Sequence, residues 1–184
     1  MFIYIFILMK KRIKKNVGKK VSKKPAKNNS IKIAMFGAGC FWGVEETFRT
    51  LPGVIDTEAG YAGGTVKKAT YEEVCSGETG HAEVVGVTYD SKKISYKKLL
   101  EIFFSIHDPT QMNRQGPDVG SQYRSVIFYF DEYQRKEAEE SLRKEQKKHD
   151  RTIATVIEPV SIYVRAEDKH QKYIFKGGRA GCMI

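Results

Sequence analysis

The chain holds only three cysteines in 184 residues, Cys40, Cys75 and Cys182, with no CxxC pair. That number is too small for a disulfide framework, and its setting points to a reducing, cytoplasmic compartment where thiols serve chemistry or packing. Histidine is scarce as well: His81, His107, His149 and His170 are scattered, with no pair at i and i+4, so no metal set is expected. No glycine cluster follows the GxGxxG or phosphate-loop pattern, which removes the main signals for a bound nucleotide. The longest apolar run, "MFIYIFILM", is nine residues, well short of the ~20 that span a bilayer as a helix. It stands ahead of its basic residues, the reverse of a secretory signal.

Acidic residues are missing from one place in particular. Residues 1–30 contain ten of the 32 Lys and Arg and no Asp or Glu, leaving 22 basic against 22 acidic residues in 31–184. The formal charge of +10 therefore belongs to the tail, and the remainder is balanced, which argues against a basic groove for nucleic acid. Residues 1–30 read as a disordered basic extension; the alternative is a weak interfacial anchor, with Phe2 to Leu8 in lipid and the lysines on anionic head groups. Residues 31–184 form one domain of ordinary size.

Within that domain, "IKIAMF" has the composition of a strand. "FWGVEETFRTL" carries apolar residues at Phe41, Val44, Phe48 and Leu51, a helical period that Pro52-Gly53 ends. "VIDTEAGYAGG" and "HAEVVGVTYD" read as strands, with a long polar loop over 65–80 between them. "ISYKKLLEIFFSIHD" is an amphipathic helix, "SVIFYFD" a strand, "EYQRKEAEESLRKEQKKH" a charged helix, "IATVIEPV" a strand and "AEDKHQKYIF" a short helix. This order predicts an α+β two-layer sandwich: a mostly antiparallel sheet with helices packed on it and a ferredoxin-like core.

The chemistry gathers around "AMFGAGCFWGVEE". Cys40 falls at a strand-to-helix turn, where unpaired backbone N–H groups and the positive end of the helix dipole favour thiolate. Gly37 and Gly39 would leave the sulfur open on one side, and Phe41 and Trp42 would wall it on the other. The competing reading is a buried cysteine acting as a small hydrophobe. In "HAEVVGV" the strand period puts Glu83 on the face of Val85 and Val87, where burial would raise its pKa and keep it protonated, as a general acid requires; the alternative is an idle carboxylate at a strand edge. Tyr71, Asp118 and Tyr123 lie in irregular loops and offer hydroxyl and carboxyl hydrogen bonds, or simply packing.

Taken together, "GCFWGVEE", "GYAGG", "TYEEVCSGETGHAEVV", "ISYKKLLEIFFSIHDPT", "RQGPDVGSQYRS" and "AEDKHQKY" resemble the A-type peptide methionine sulfoxide reductases, over about residues 31–184. The resemblance implies reduction of methionine-S-sulfoxide, free or in oxidised proteins. Cys40 would be the nucleophile, Phe41 and Trp42 the grip on the S-methyl group, and Glu83 the acid that protonates the sulfoxide oxygen. Tyr71 and Tyr123 would donate hydrogen bonds, and Asp118 would order the site. It further implies a Cys40 sulfenic acid resolved by Cys182, with the disulfide reduced by thioredoxin, no bound cofactor and a monomeric enzyme. Many relatives continue through a longer glycine-rich tail bearing another cysteine; here "KGGRAGCMI" ends two residues past Cys182, so a three-thiol relay is not expected. Cys75 is read as structural. Two other function classes compete: a Cys-His hydrolase with Cys40 activated by His81 or His107, and a non-enzymatic module that binds through its basic tail.

Overall fold

The computed structural model describes residues 30–179; residues 1–29 and 180–184, and with them the N-terminal extension and Cys182, lie outside the described residues. Among the described residues, eight strands and four α-helices follow one another. They are β1 (Ile31–Ala38), α1 (Phe41–Arg49), β2 (Val54–Ala62), α2 (Tyr71–Cys75), β3 (Ala82–Asp90) and α3 (Tyr96–Ser105). The short hairpin of β4 (Arg114–Gln115) and β5 (Asp118–Val119), a 3₁₀ turn (Ser121–Tyr123), β6 (Ser125–Tyr129), α4 (Glu132–Gln146), β7 (Val156–Pro159) and β8 (Tyr163–Arg165) complete the series.

Six strands form one mixed sheet in the order β7-β6-β1-β3-β2-β8. The ladders β6–β1, β1–β3, β3–β2 and β2–β8 are antiparallel, and β6–β7 is parallel. Alternation along the strands divides the core in two. One sheet face carries Ala34, Phe36, Tyr61, Val85, Val87 and Ile127 against α1 and α3; the other carries Met35, Val84, Val126 and Phe128 under Val160 and Tyr163. The centre of the helix-covered side is aromatic. Phe36 of β1 stacks on Phe48 of α1 at 5.1 Å and on Phe103 of α3 at 5.3 Å, so one side chain joins both helices to the sheet. Truncating such a buried phenylalanine typically costs ~3–5 kcal/mol.

Local signals account for the helix starts. Ser95 and Asp131 accept from the backbone N–H groups of Lys98 and Gln134 at the starts of α3 and α4. Within the stretch expected to be all loop, Thr70 and Glu73 form a reciprocal capping box that nucleates α2. The expected C-terminal helix over "AEDKHQKYIF" is instead a series of turns. Lys172 there has φ +52°, and neighbouring polar side chains are spent on other elements: Gln171 accepts from Ala59 N–H at 3.0 Å and donates to its carbonyl at 2.8 Å. A continuous helix could not meet these partners. The three-residue β8 is too short to leave a period in the sequence. Among the described residues, no helix is long and apolar enough to cross a membrane.

Candidate active site

Cys40 caps the N-terminus of α1, half-buried, with φ −57° and ψ 121° and without a cap bond from its own side chain. The partner of the helix start is Glu83: the N–H of Phe41 donates to Glu83 Oε2 at 2.9 Å. Glu83 comes from β3, on the helix-covered face as its period predicts, and is 1% exposed. Burial is the largest influence on its carboxyl, opposed by the Phe41 amide and reinforced by the charge of Asp118. Its pKa is pushed up to about 8, so it is mainly protonated at neutral pH. The Phe41 bond occupies Oε2 and leaves Oε1 to carry the proton. A thiol at the positive end of a helix thus sits one residue from the amide that holds a neutral carboxylic acid.

The other expected residues converge here. Asp118 stands in the β4–β5 hairpin, close enough for its charge to raise Glu83. Tyr123, in the 3₁₀ turn, has its hydroxyl pKa raised first by burial and then by the charges of Glu83, Cys75, Asp118 and Cys40. Tyr71, at the start of α2, is raised first by burial, then by a hydrogen bond with the Cys75 thiol, and then by the charges of Cys75 and Glu83. Cys75 is therefore in the site's surroundings; burial pushes its own thiol up. Phe41 is buried and Trp42 half-buried, their ring centroids 6.4 Å apart.

Gly37 and Gly39 also stand where a side chain would not fit. A Cβ on Gly37 would meet Val126 Cγ1 at 2.7 Å and the Glu83 carbonyl at 2.8 Å. At Gly39, with φ +91°, it would meet Gln115 Cβ at 2.8 Å. They let three backbone segments close on one another around Cys40.

Several residues escaped sequence reasoning because they act through other segments. Glu167 Oε2 accepts from the Tyr61 hydroxyl and Oε1 from the Tyr71 N–H, both at 2.9 Å. His170 accepts the indole N–H of Trp42, and Tyr173 stacks on that indole at 4.0 Å. Buried Glu45, one turn along α1 from Phe41, accepts from the Lys172 N–H at 2.6 Å. The motif "AEDKHQKY" marked the segment without singling out these residues. The Cys-His hydrolase reading fails on geometry. His81 Nδ1 accepts from Gly64 N–H and Nε2 donates to the Val66 carbonyl; His107 is engaged by Phe103 O and Ser125 Oγ. Both imidazoles are committed elsewhere. Among the described residues, no group of His, Cys, Asp and Glu could hold a metal ion.

Fold and site define a single-domain α+β protein that presents a thiol at a helix start beside a protonated carboxylic acid, within a ring of tyrosines. The family model for peptide methionine sulfoxide reductase matches residues 32–184. A peptide methionine sulfoxide reductase of Methanoculleus marisnigri is 54% identical over 159 residues, covering 85% of this chain and 97% of that protein. Saccharomyces cerevisiae Mxr1 in reduced form superposes with a TM-score of 0.77 at 40% identity, covering 86% of this chain and 90% of its own. Mxr1 in complex with Trx2 gives 0.56 at 30%, covering 84% and 91%. The chain belongs to the peptide methionine sulfoxide reductase family, a family of thiol-dependent oxidoreductases.

Proposed function

We propose that this chain reduces methionine-S-sulfoxide, free or in oxidised proteins, with Cys40 as nucleophile and Glu83 as acid. The observation that carries the reading is the buried, mainly protonated Glu83 held by the amide next to Cys40. A sulfoxide oxygen departs only if it is protonated, and a neutral carboxylic acid aimed at it supplies the proton. The Cys40 thiolate attacks the sulfoxide sulfur as Glu83 gives its proton to the oxygen. The hydroxyl then passes to the Cys40 sulfur as the substrate's sulfur–oxygen bond and the transient sulfur–sulfur bond break, methionine leaves, and Cys40 is left as the sulfenic acid. Phe41 and Trp42 hold the S-methyl group, Tyr71 and Tyr123 donate to the oxygen, and the charge of Asp118 reinforces the protonation of Glu83 that burial causes.

The Cys182 thiol then condenses with the sulfenic acid, releasing water and forming a Cys40–Cys182 disulfide that a thioredoxin reduces. Support comes from the approach of the tail. Tyr173 stacks on Trp42, and the backbone of Gly178 packs so closely on the Tyr173 ring that a Cβ there would lie 2.3 Å from it. Cys182 is four residues beyond, a span of at most ~14 Å. The solved complex of Mxr1 with Trx2 supports thioredoxin as the reductant. Residues 31–184 form the reductase domain, working as a cytoplasmic monomer. The strand order β6-β1-β3-β2, with α1 and α3 as crossovers, supports a ferredoxin-like core.

The test is reduction of the two sulfoxide epimers by the purified protein, with dithiothreitol and with thioredoxin. The S epimer should react and the R epimer should not; equal rates on both overturn the assignment. Cys182→Ser should release one methionine per enzyme, fail with thioredoxin and recover with dithiothreitol. Thioredoxin-driven turnover intact in that variant, with a Cys40–Cys75 peptide by mass spectrometry, would transfer the resolving role to Cys75.

A further inference from the structure

Trp42 is the only tryptophan in the chain, and its placement depends on a histidine that the proposed chemistry does not use. The indole N–H donates to His170 Nδ1 at 3.2 Å, and the two rings lie 5.7 Å apart at 23°. An indole nitrogen can only donate, so Nδ1 must accept and the imidazole proton sits on Nε2. Nε2 is buried and has no hydrogen-bond partner among the described residues; it lies 4.0 Å from Glu167 Oε2. That distance is too long for a hydrogen bond, yet it sets a carboxylate charge opposite the N–H and favours this tautomer. Glu167 is itself fixed by Tyr61 of β2 and the Tyr71 amide of α2.

We propose that His170 is a positioning residue for Trp42: in its Nε2–H tautomer it aims the indole that walls the methyl pocket, and protonation at Nδ1 releases it. The proposal rests on the reading of Trp42 as part of that pocket. A protonated imidazole presents N–H at both nitrogens, so its Nδ1–H would face the indole N–H, donor against donor. The groups around His170 set where this happens. Glu167 on its own turn and Glu72 from α2 favour the cation; Lys169 and, above all, burial oppose it, while the Tyr71 ring from α2 and the Phe41 ring from α1 pack on the imidazole at 4.6 and 5.4 Å. The balance holds the His170 pKa below the usual histidine range, so the bond is intact at neutral pH.

Two substitutions and one spectroscopic signal test this. His170→Asn places an oxygen acceptor near Nδ1 but cannot titrate; His170→Phe keeps a ring and removes the acceptor. For His170→Phe, KM for methionine-S-sulfoxide should rise about tenfold with kcat changed less than about threefold, the signature of lost uniform binding. His170→Asn should stay within about twofold of wild type. The emission of Trp42, read without substrate, should titrate in the wild type with a midpoint below pH 6.5, in step with a rise in KM, and both changes should vanish in His170→Asn. Wild-type KM and emission in His170→Phe, or a persisting titration in His170→Asn, overturns the proposal. If His170→Phe fails to fold, as circular dichroism would show, the His170→Asn pH series decides. Failure of the wild type to reduce any sulfoxide would sink the catalytic reading while leaving the emission result to stand on its own.

Discussion

Cys40 and Glu83 divide nucleophile and acid between two elements, and one hydrogen bond, Phe41 N–H to Glu83 Oε2, sets their spacing. Cys40→Ser should abolish reduction of the S-sulfoxide, because a hydroxyl lacks both the acidity and the nucleophilicity of sulfur; measurable residual turnover would end the proposed mechanism. For Glu83→Gln the attack step should fall ~10²–10⁴-fold, since glutamine donates a hydrogen bond but transfers no proton. The sign with pH follows from the raised carboxyl. With a pKa of about 8 the acid is present at neutral pH and is lost as pH rises through 8. Single-turnover rates should therefore fall above that pH in the wild type, and the residual rate of Glu83→Gln should show no such fall. A burst of methionine in Glu83→Gln as fast as wild type would assign the proton to another group.

At the scale of elements, the site is a meeting of turns rather than a property of any one of them. The turn before α1 accepts Gln115 only because Gly39 has no side chain, and Gln115 fixes the connection that carries Asp118: its side chain accepts from Asp108 N–H at 3.2 Å and donates to Asp108 O at 3.1 Å. Two glycines of positive φ separate backbone strain from contact. Gly39→Ala meets both a φ of +91° and the Gln115 side chain, whereas Gly116→Ala, at φ +55°, meets nothing within 4 Å among the described residues. The backbone strain alone is worth about 1–3 kcal/mol. In urea unfolding Gly39→Ala should lose clearly more stability than Gly116→Ala, and activity with it; equal losses would show that the Gln115 contact is unimportant.

For the whole molecule, the buried ionisable groups give stability a pH dependence with a definite sign. Glu83 has a folded pKa of about 8 against an ordinary value of 4.5, so between these the folded state holds the extra proton and stability falls as pH rises. Burial raises Glu45 as well, with the same sign. Burial lowers His107 from 6.5 to about 4, so its contribution is lost as pH drops through that window. Above pH 6.5 the histidine contribution fades within about a pH unit and the carboxyl slope dominates. Denaturant unfolding should show a net loss on the order of 1 kcal/mol between pH 6.5 and 8, below the limiting slope of ~1.4 kcal/mol per pH unit per proton because Glu83 is half ionised at pH 8. Glu83→Gln should flatten most of it; an unchanged slope would mean that Glu83 ionises normally in the fold.

By itself the amino-acid sequence determined the local choices: the helical period from Phe41 to Phe48, the alternation that turned Glu83 toward the apolar face, the strand character of β1, β3 and β6, and the motif pattern that marks the family. These depend on neighbours within a turn or a strand pair, which periodicity records. Only the tertiary structure decided that β7 lies parallel to β6, that "AEDKHQKY" forgoes a helix, and that Glu45, Glu167 and His170 tie the C-terminal turns to the catalytic helix and its surroundings. His170 and Trp42 are 128 positions apart. No local period links such residues; their pairing exists because packing sets the His170 imidazole against the indole N–H.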